Sequence, residues 1–508
     1  MKTTSSFLLL ALVGIASAQD VSVAGGGHGG PNSPRKPLVT STKLQQEIHS
    51  SNLVKHAKQL VNFSKLSNGT RAFGSVAHNA TLSYIKGLLD KTNFYDTVYQ
   101  TFPYLYSEGS ATFSANGSSY STSWFTYGPA GDVTAPLVIV NDLGCEASDF
   151  PAAVVGKIAL IQRGTCEFGR KIALAGAARA AGAILYNNAD GAIGGGTLGQ
   201  ISRPDVGPYV PAGAISGLDG QALVASISGG TEIVGNIHVV AVNENRYTSN
   251  IIATTKTGDK RNIVMAGAHT DSVPAGPGIN DNGSGTATLL EIALRLPRFS
   301  FTNAIRFGWW TAEEFGLVGS GHYVTTLSEQ EKQKVAIYLN FDMVASPNAG
   351  HFIYDGDGSA FNLTGPAGSD HIEKTFEKYF VSAKVKSAPT QFNGRSDYGP
   401  FLDARIPAGG FNSGAEGIMT AEEAKWWNGQ AGVAYDKCYH QACDGIDNLN
   451  IPAWIVNAKG AAHGIATYAQ SLKGIPREPR APAREVQATK LSYDQRRHLA
   501  CGGEIFSA

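Results

Sequence analysis

Three short apolar runs, at residues 262–267, 304–310 and 335–341, each end in a cluster of His, Asp or Glu, and this pattern constrains the chain more than any other feature. Runs this short and this uniformly apolar predict strands buried on both faces, as in a parallel sheet covered by helices. Residues 285–296 between the first two have helical spacing and stop at Pro297, so helices alternate with strands and the class is α/β. Ligands of open α/β sheets bind beyond the carboxyl ends of the strands. The residues found there are Ala268-His269-Thr270-Asp271, Thr311-Ala312-Glu313-Glu314 and Asn340-Phe341-Asp342. Asp281 adds a further carboxylate just ahead of the helix. Singly, each has an ordinary explanation: a core histidine, a turn aspartate, a solvated acidic corner. Together they supply the His and carboxylate groups that a metal site requires. A second histidine stands in Cys438-Tyr439-His440-Gln441-Ala442-Cys443-Asp444, where a Cys438–Cys443 disulfide would hold His440 in a loop too short to wander.

The chain of 508 residues is long enough for two domains with short extensions. Lys and Arg total 41 against 41 for Asp and Glu, which leaves no basic field for nucleic acid and no acidic excess that would favour disorder. Residues 1–18 read as a signal peptide, with Lys2, an apolar run at 7–15 and the small-residue end Ala16-Ser17-Ala18. No later run is long and apolar enough to span a bilayer, so a secreted, extracellular protein is expected. In an oxidising compartment Cys145 with Cys166 forms a second expected disulfide, leaving Cys501 unpaired in the tail. Asn62, Asn68, Asn79, Asn116 and Asn362 are candidate glycosylation sites, and Asn282 stands in the same sequon beside Asp281.

Composition divides the chain further. Residues 19–36 form a Gly- and Pro-rich leader, and 475–508 a Pro- and Arg-rich tail. Residues 44–89 suggest two helices separated near Asn68. From 98 to 242 the pattern becomes that of short strands and turns, with a β-α-β unit spanning the strand at 157–161, a helix at 171–181 and the strand at 183–186. The main α/β domain is then expected at 37–97 and 243–474, with 98–242 as an insert.

These motifs resemble the two-zinc aminopeptidases of the bacterial-aminopeptidase type, above all secreted fungal leucine aminopeptidases carrying a protease-associated (PA) domain. The specific pieces are Ala268-His269-Thr270-Asp271-Ser272, the Gly-rich segment 276–285, Thr311-Ala312-Glu313-Glu314-Phe315-Gly316, Asn340-Phe341-Asp342-Met343 and Tyr439-His440. The resemblance implies a three-layer α/β/α sandwich with a mixed, largely parallel central sheet and an inserted β-rich PA domain. It implies two zinc ions per subunit, one held by His269 and Asp342, the other by Glu314 and His440, with Asp281 shared and followed by a cis peptide bond. Glu313 would be the general base and acid, Tyr439 the oxyanion donor, and Asp271 the carboxylate that orients His269. Met343, Gly394, Arg395 and Phe411 would shape the substrate pocket. Peptides with free N-termini and bulky apolar first residues are the expected substrates, acted on by a monomer. The alternatives are a zinc carboxypeptidase or dipeptidase on the same scaffold, for which no cationic clamp is evident, and a non-catalytic secreted binding protein, which would have broken ligands.

Overall fold

The computed structural model describes residues 36–193, 196–199 and 201–477. The expected signal peptide, nearly all of the expected leader, Cys501 and the chain beyond 477 lie outside the described residues. Each of the three apolar runs is a strand: Asp259–His269, Asn303–Trp310 and Val335–Phe341. The first lies between the other two and is parallel to both. Alternate side chains enter opposite cores, as strand geometry demands. Val264, Ala266 and Ala268 face one cluster, while Ile263 and Met265 face the other. Likewise Ile305, Phe307 and Trp309 point one way and Trp310 the other.

The first core is closed by the helices Ser50–Ser64, Val76–Lys91, Gly285–Arg295, Ser369–Ser382 and Ile451–Gln470, and the second by Val318–Thr326 and Tyr398–Asp403. The result is the expected three-layer sandwich. Its sheet continues through Ala408–Asn412, parallel to Val335–Phe341, and is mixed because Phe352–Tyr354 and Val234–Thr255 join antiparallel. The helix Gly285–Arg295 is buried along its entire length and ends before Pro297, whose ring cannot continue the backbone ladder. The N-terminal region adds a short helix, Ser41–Gln46, to the two expected ones.

The insert contains the expected β-α-β unit: Ile158–Gln162, helix Phe168–Ala177 and Gly182–Tyr186, with the strands parallel. It is joined to the rest by a two-stranded ribbon, not by flexible linkers. Tyr95–Ala115 pairs with Val234–Thr255 without interruption from Tyr95 opposite Thr255 to Ala115 opposite Gly235. The divisions expected at 97/98 and 242/243 therefore fall within continuous strands. Both expected disulfides, Cys145–Cys166 and Cys438–Cys443, are formed. Asn62, Asn68, Asn79, Asn116 and Asn362 are exposed, whereas Asn282 is fully buried and donates to the Phe341 carbonyl. No helix among the described residues is long and apolar enough to cross a membrane.

Gly267 marks a tight crossing beneath the strand ends. A Cβ there would collide with Trp310 Nε1 and Tyr338 Oη, which are hydrogen-bonded to each other at 2.8 Å. Gly267→Ala is expected to cost about 1–3 kcal/mol through overpacking. An unchanged thermal midpoint would contradict this packing.

Candidate metal centre and substrate cleft

Because the three strands run parallel, their carboxyl ends open on one edge of the sheet. His269 is the last residue of its strand and Asp342 directly follows its own. Asp281 comes from the loop Ile279–Ser284, and His440 from the loop closed by Cys438–Cys443. Ala312, Met343 and His440 adopt left-handed backbone, with φ of 52°, 50° and 56°. Non-glycine residues held in this region cost of order 1–3 kcal/mol each and cluster at functional sites. Here they turn the chain sharply beside Glu313, Asp342 and within the disulfide loop.

Asp281 lies between the two histidines. Its Oδ1 is 3.1 Å from His269 Nε2 and its Oδ2 is 3.3 Å from His440 Nε2. His269 Nε2 is also 3.4 Å from Asp342 Oδ1, and His440 Nε2 is 2.9 Å from Glu314 Oε2. The peptide bond after Asp281 is cis. Glu313 and Glu314 lie beyond the end of their strand, which stops at Trp310, and the chain bends at Ala312. The bend divides the pair: Glu313 Oε2 lies 3.8 Å from His269, and Glu314 faces His440. Asp271 Oδ1 is 3.6 Å from His269 Nδ1, beyond hydrogen-bond length, and accepts instead from the Glu313 backbone N–H at 3.1 Å.

Carboxyls outnumber imidazoles in this cavity, and the protonation equilibria reflect it. Burial alone would lower the pKa of His440, but Glu314 and Asp281 raise it to about 10. His269 is likewise pushed well above its ordinary value, the charges of Asp342 and Glu313 overcoming burial. Burial raises Glu314 to about 7, aided by Asp281, and lifts Glu313 well above the usual carboxylate range. Asp281 moves the opposite way, since the two histidines that face it outweigh its burial. The donor chemistry fits divalent cations: buried His269 Nε2 and Asp342 Oδ1 face each other without a hydrogen-bond partner among the described residues. A cation accepted by both would satisfy two buried polar atoms at once.

The same carboxylates line a cleft of about 280 Å³. Met343, Phe352, Tyr354 and Tyr435 supply its apolar walls, and Gln391, Asn393, Asn412 and Glu416 its polar ones. Arg395 reaches across it, bonding Glu416 at 2.6 Å and donating through Nη2 to Tyr439 Oη at 3.2 Å. Tyr439 stacks on His440 with centroids 3.8 Å apart, and burial raises its phenol pKa well above 10. Of the expected pocket residues, Met343 and Arg395 line the cleft. The Gly394 N–H instead donates to Tyr398 Oη, so this residue shapes the loop behind the wall. Phe411 does not reach the cleft. It is fully buried against Phe341, Phe376 and Phe380, because successive strand residues alternate faces and its neighbour Asn412 takes the cleft side.

Sequence reasoning missed the groups beneath the site. Ser396 Oγ donates to Asp342 Oδ2 at 2.6 Å and accepts from Asn340 Nδ2, which continues a buried chain through Tyr338 to Trp310. Asp444 accepts the backbone N–H groups of Asn280 and Asp281 at 2.9 and 3.0 Å. Its only signal in the sequence is its place directly after Cys443.

Comparison with known proteins agrees with this architecture. The family described as Peptidase family M28 matches residues 250–464, and the PA domain matches 133–223. The chain is 47% identical over 477 residues to the probable leucine aminopeptidase 2 of Aspergillus fumigatus, covering 93% of this chain and 94% of that one. It is 46% identical over 455 residues to leucine aminopeptidase 2 of Trichophyton rubrum, covering 89% and 91%. Among solved structures, an aminopeptidase from Aneurinibacillus sp. strain AM-1 superimposes with a TM-score of 0.66 at 29% identity, covering 85% of this chain and 96% of that one. A zinc aminopeptidase from Bacillus subtilis gives 0.58 at 25% identity, covering 87% and 98%.

Asp444→Ala would leave two buried N–H groups of the Asp281 loop without acceptors, each costing about 1–3 kcal/mol. The expected result is a lower denaturation midpoint in urea. An unchanged midpoint would show that the loop does not depend on this carboxylate.

Proposed function

This chain belongs to peptidase family M28 and carries an inserted PA domain, and from that premise we propose that it is a secreted two-zinc aminopeptidase that removes bulky apolar residues such as leucine from free N-termini. The observation that carries the reading is Asp281, whose two oxygens each face a different histidine, His269 and His440. His269 and Asp342 would hold one zinc, Glu314 and His440 the other, and Asp281 both. When bound, such a pair polarises the scissile carbonyl and acidifies a water molecule.

The remaining work falls to the side chains. Glu313 has no place among these ligands, yet it lies buried at the cleft beside His269. From that place its carboxylate would take a proton from the attacking water and pass it to the leaving amine. Tyr439 remains a neutral donor, and the Arg395 guanidinium fixes its oxygen by donating to it. It is the group to donate to the carbonyl oxygen as negative charge develops. The substrate ammonium is received by the carboxylates that line the cleft, and an apolar side chain by Met343, Phe352, Tyr354 and Tyr435. Export is supported by the pattern of residues 1–18, with Lys2, the apolar run at 7–15 and the small-residue end Ala16-Ser17-Ala18.

The test is a panel of amino-acid p-nitroanilides, free and N-blocked, with metal quantification. Leucine p-nitroanilide should be cleaved and its N-acetyl form left intact. Chelation should abolish activity and added zinc restore it. Glu313→Gln should retain two zinc ions while losing about 10²–10⁴ in kcat. Near-normal turnover in that variant would remove Glu313 from the chemistry, and cleavage of blocked substrates would sink the exopeptidase reading.

A further inference from the structure

The turn between helices Ser50–Ser64 and Val76–Lys91 sends a fully buried arginine, Arg71, beneath the metal centre. A guanidinium offers donors in a rigid planar fork. Here Nε donates to the Pro277 carbonyl at 2.8 Å, Nη2 to Gly278 at 2.6 Å, and Nη1 to Thr270. Thr270 lies between His269 and Asp271, and Gly278 begins the turn into Asp281. One side chain thus bonds the backbone of both segments that supply these groups. Its neighbours reinforce the grip. The Arg71 N–H donates to Ser272 Oγ at 2.9 Å, Ser272 Oγ donates to the Gly276 carbonyl at 2.8 Å, and Thr70 Oγ1 donates to the Val273 carbonyl at 2.8 Å. His78 Nε2 meets Thr270 Oγ1 at 2.9 Å. At Gly278, with φ of 60°, a Cβ would come within 2.5 Å of Ser272 Cβ, so the two segments are in direct contact.

All three guanidinium bonds go to neutral carbonyls, so the positive charge is not consumed by a paired carboxylate. Burial lowers the Arg71 pKa to about 10, with Asp271, Asp444 and Asp281 opposing it through space. The group is therefore cationic at neutral pH, behind a carboxylate cluster whose mutual repulsion it offsets.

We propose that Arg71 is a positioning residue for the metal pair, one that sets Asp281 against His269 by tying their two backbone segments to a single guanidinium. This role rests on the two-zinc reading above. Lysine in its place would keep the charge but could not reach carbonyls on both segments, and methionine would lose charge and fork alike.

The full-length protein, stripped of metal, is titrated with zinc against a chromophoric chelator, alongside kcat and KM on leucine p-nitroanilide and thermal unfolding. Arg71→Lys should weaken zinc binding about 10- to 100-fold, the range for losing a group that orients metal ligands. It should also lower kcat at saturating zinc with KM changed by less than about twofold. Arg71→Met should be weaker still. Arg295→Lys is the control, since Arg295 is also buried but pairs with Glu291 away from both segments. It should lower the thermal midpoint and leave zinc affinity within about twofold. Ser272→Ala, a milder change in the same grip, should shift zinc affinity in the same direction as Arg71→Lys. Wild-type zinc affinity and kcat in Arg71→Lys would overturn the proposal, as would equal zinc loss in the Arg295 control. Should neither Arg71 variant fold, unchanged zinc affinity in Ser272→Ala overturns it. A wild-type protein that binds no zinc would instead sink the two-zinc reading, and this role with it, before any variant is compared.

Discussion

Asp281 presents one oxygen to each of two histidines inside a cavity already crowded with carboxylates. Such a group is stable only where its own backbone is held and the surrounding charge is balanced, since buried like charges repel strongly and buried N–H groups need acceptors. Asp444 accepts the N–H of Asp281 itself and of Asn280, while Asn280 Nδ2 donates to Asp436 at 2.7 Å. Asn448 bridges Asp436 and Asp444, so these two carboxylates share donors where they would otherwise only oppose each other. The Cys438–Cys443 loop leaves from the same pair, because the Cys438 N–H donates to Asp436 at 2.8 Å. Asp281 and His440 are thus positioned by one buried network.

The insert is attached to the same site by aromatic packing. Phe315, which follows Glu313 and Glu314, packs edge-on against Phe73 at 4.6 Å and beside Tyr106 of the ribbon at 5.5 Å. Arg246, on the opposite ribbon strand, lies 3.3 Å over the Tyr106 ring. Thr311, just ahead of Glu313, is bonded through its N–H to Asn250 of that strand. The ribbon that leads into the PA domain therefore forms one wall of the loop bearing Glu313 and Glu314, which a flexible linker could not do.

Much of this was legible in the sequence because it depends on local periodicity. A strand buried on both faces must be apolar throughout, and polar residues after such a strand lie at the sheet edge, so His269, Glu313, Glu314 and Asp342 could be read together. His440 was legible for a different reason, its enclosure between two nearby cysteines. The Phe411 pocket assignment failed because a motif marks a strand but does not say which face each of its residues takes. Phe352, Tyr354 and Tyr435 were missed for the same reason, since aromatic residues in strands and loops look alike whether they line a cleft or a core.

The sequence by itself determined the α/β class, the β-rich insert, the paired cysteines and the chemical identity of the groups at the strand ends, all of which follow from spacing and residue type within short windows. Only the tertiary structure decided which oxygen faces which histidine, that Ala312 divides the two glutamates, and that Arg71, Ser396 and Asp444 support the site from distant parts of the chain. Those relations arise from close packing between segments remote in sequence, and hydrogen bonds of that kind leave no periodic trace in the order of residues.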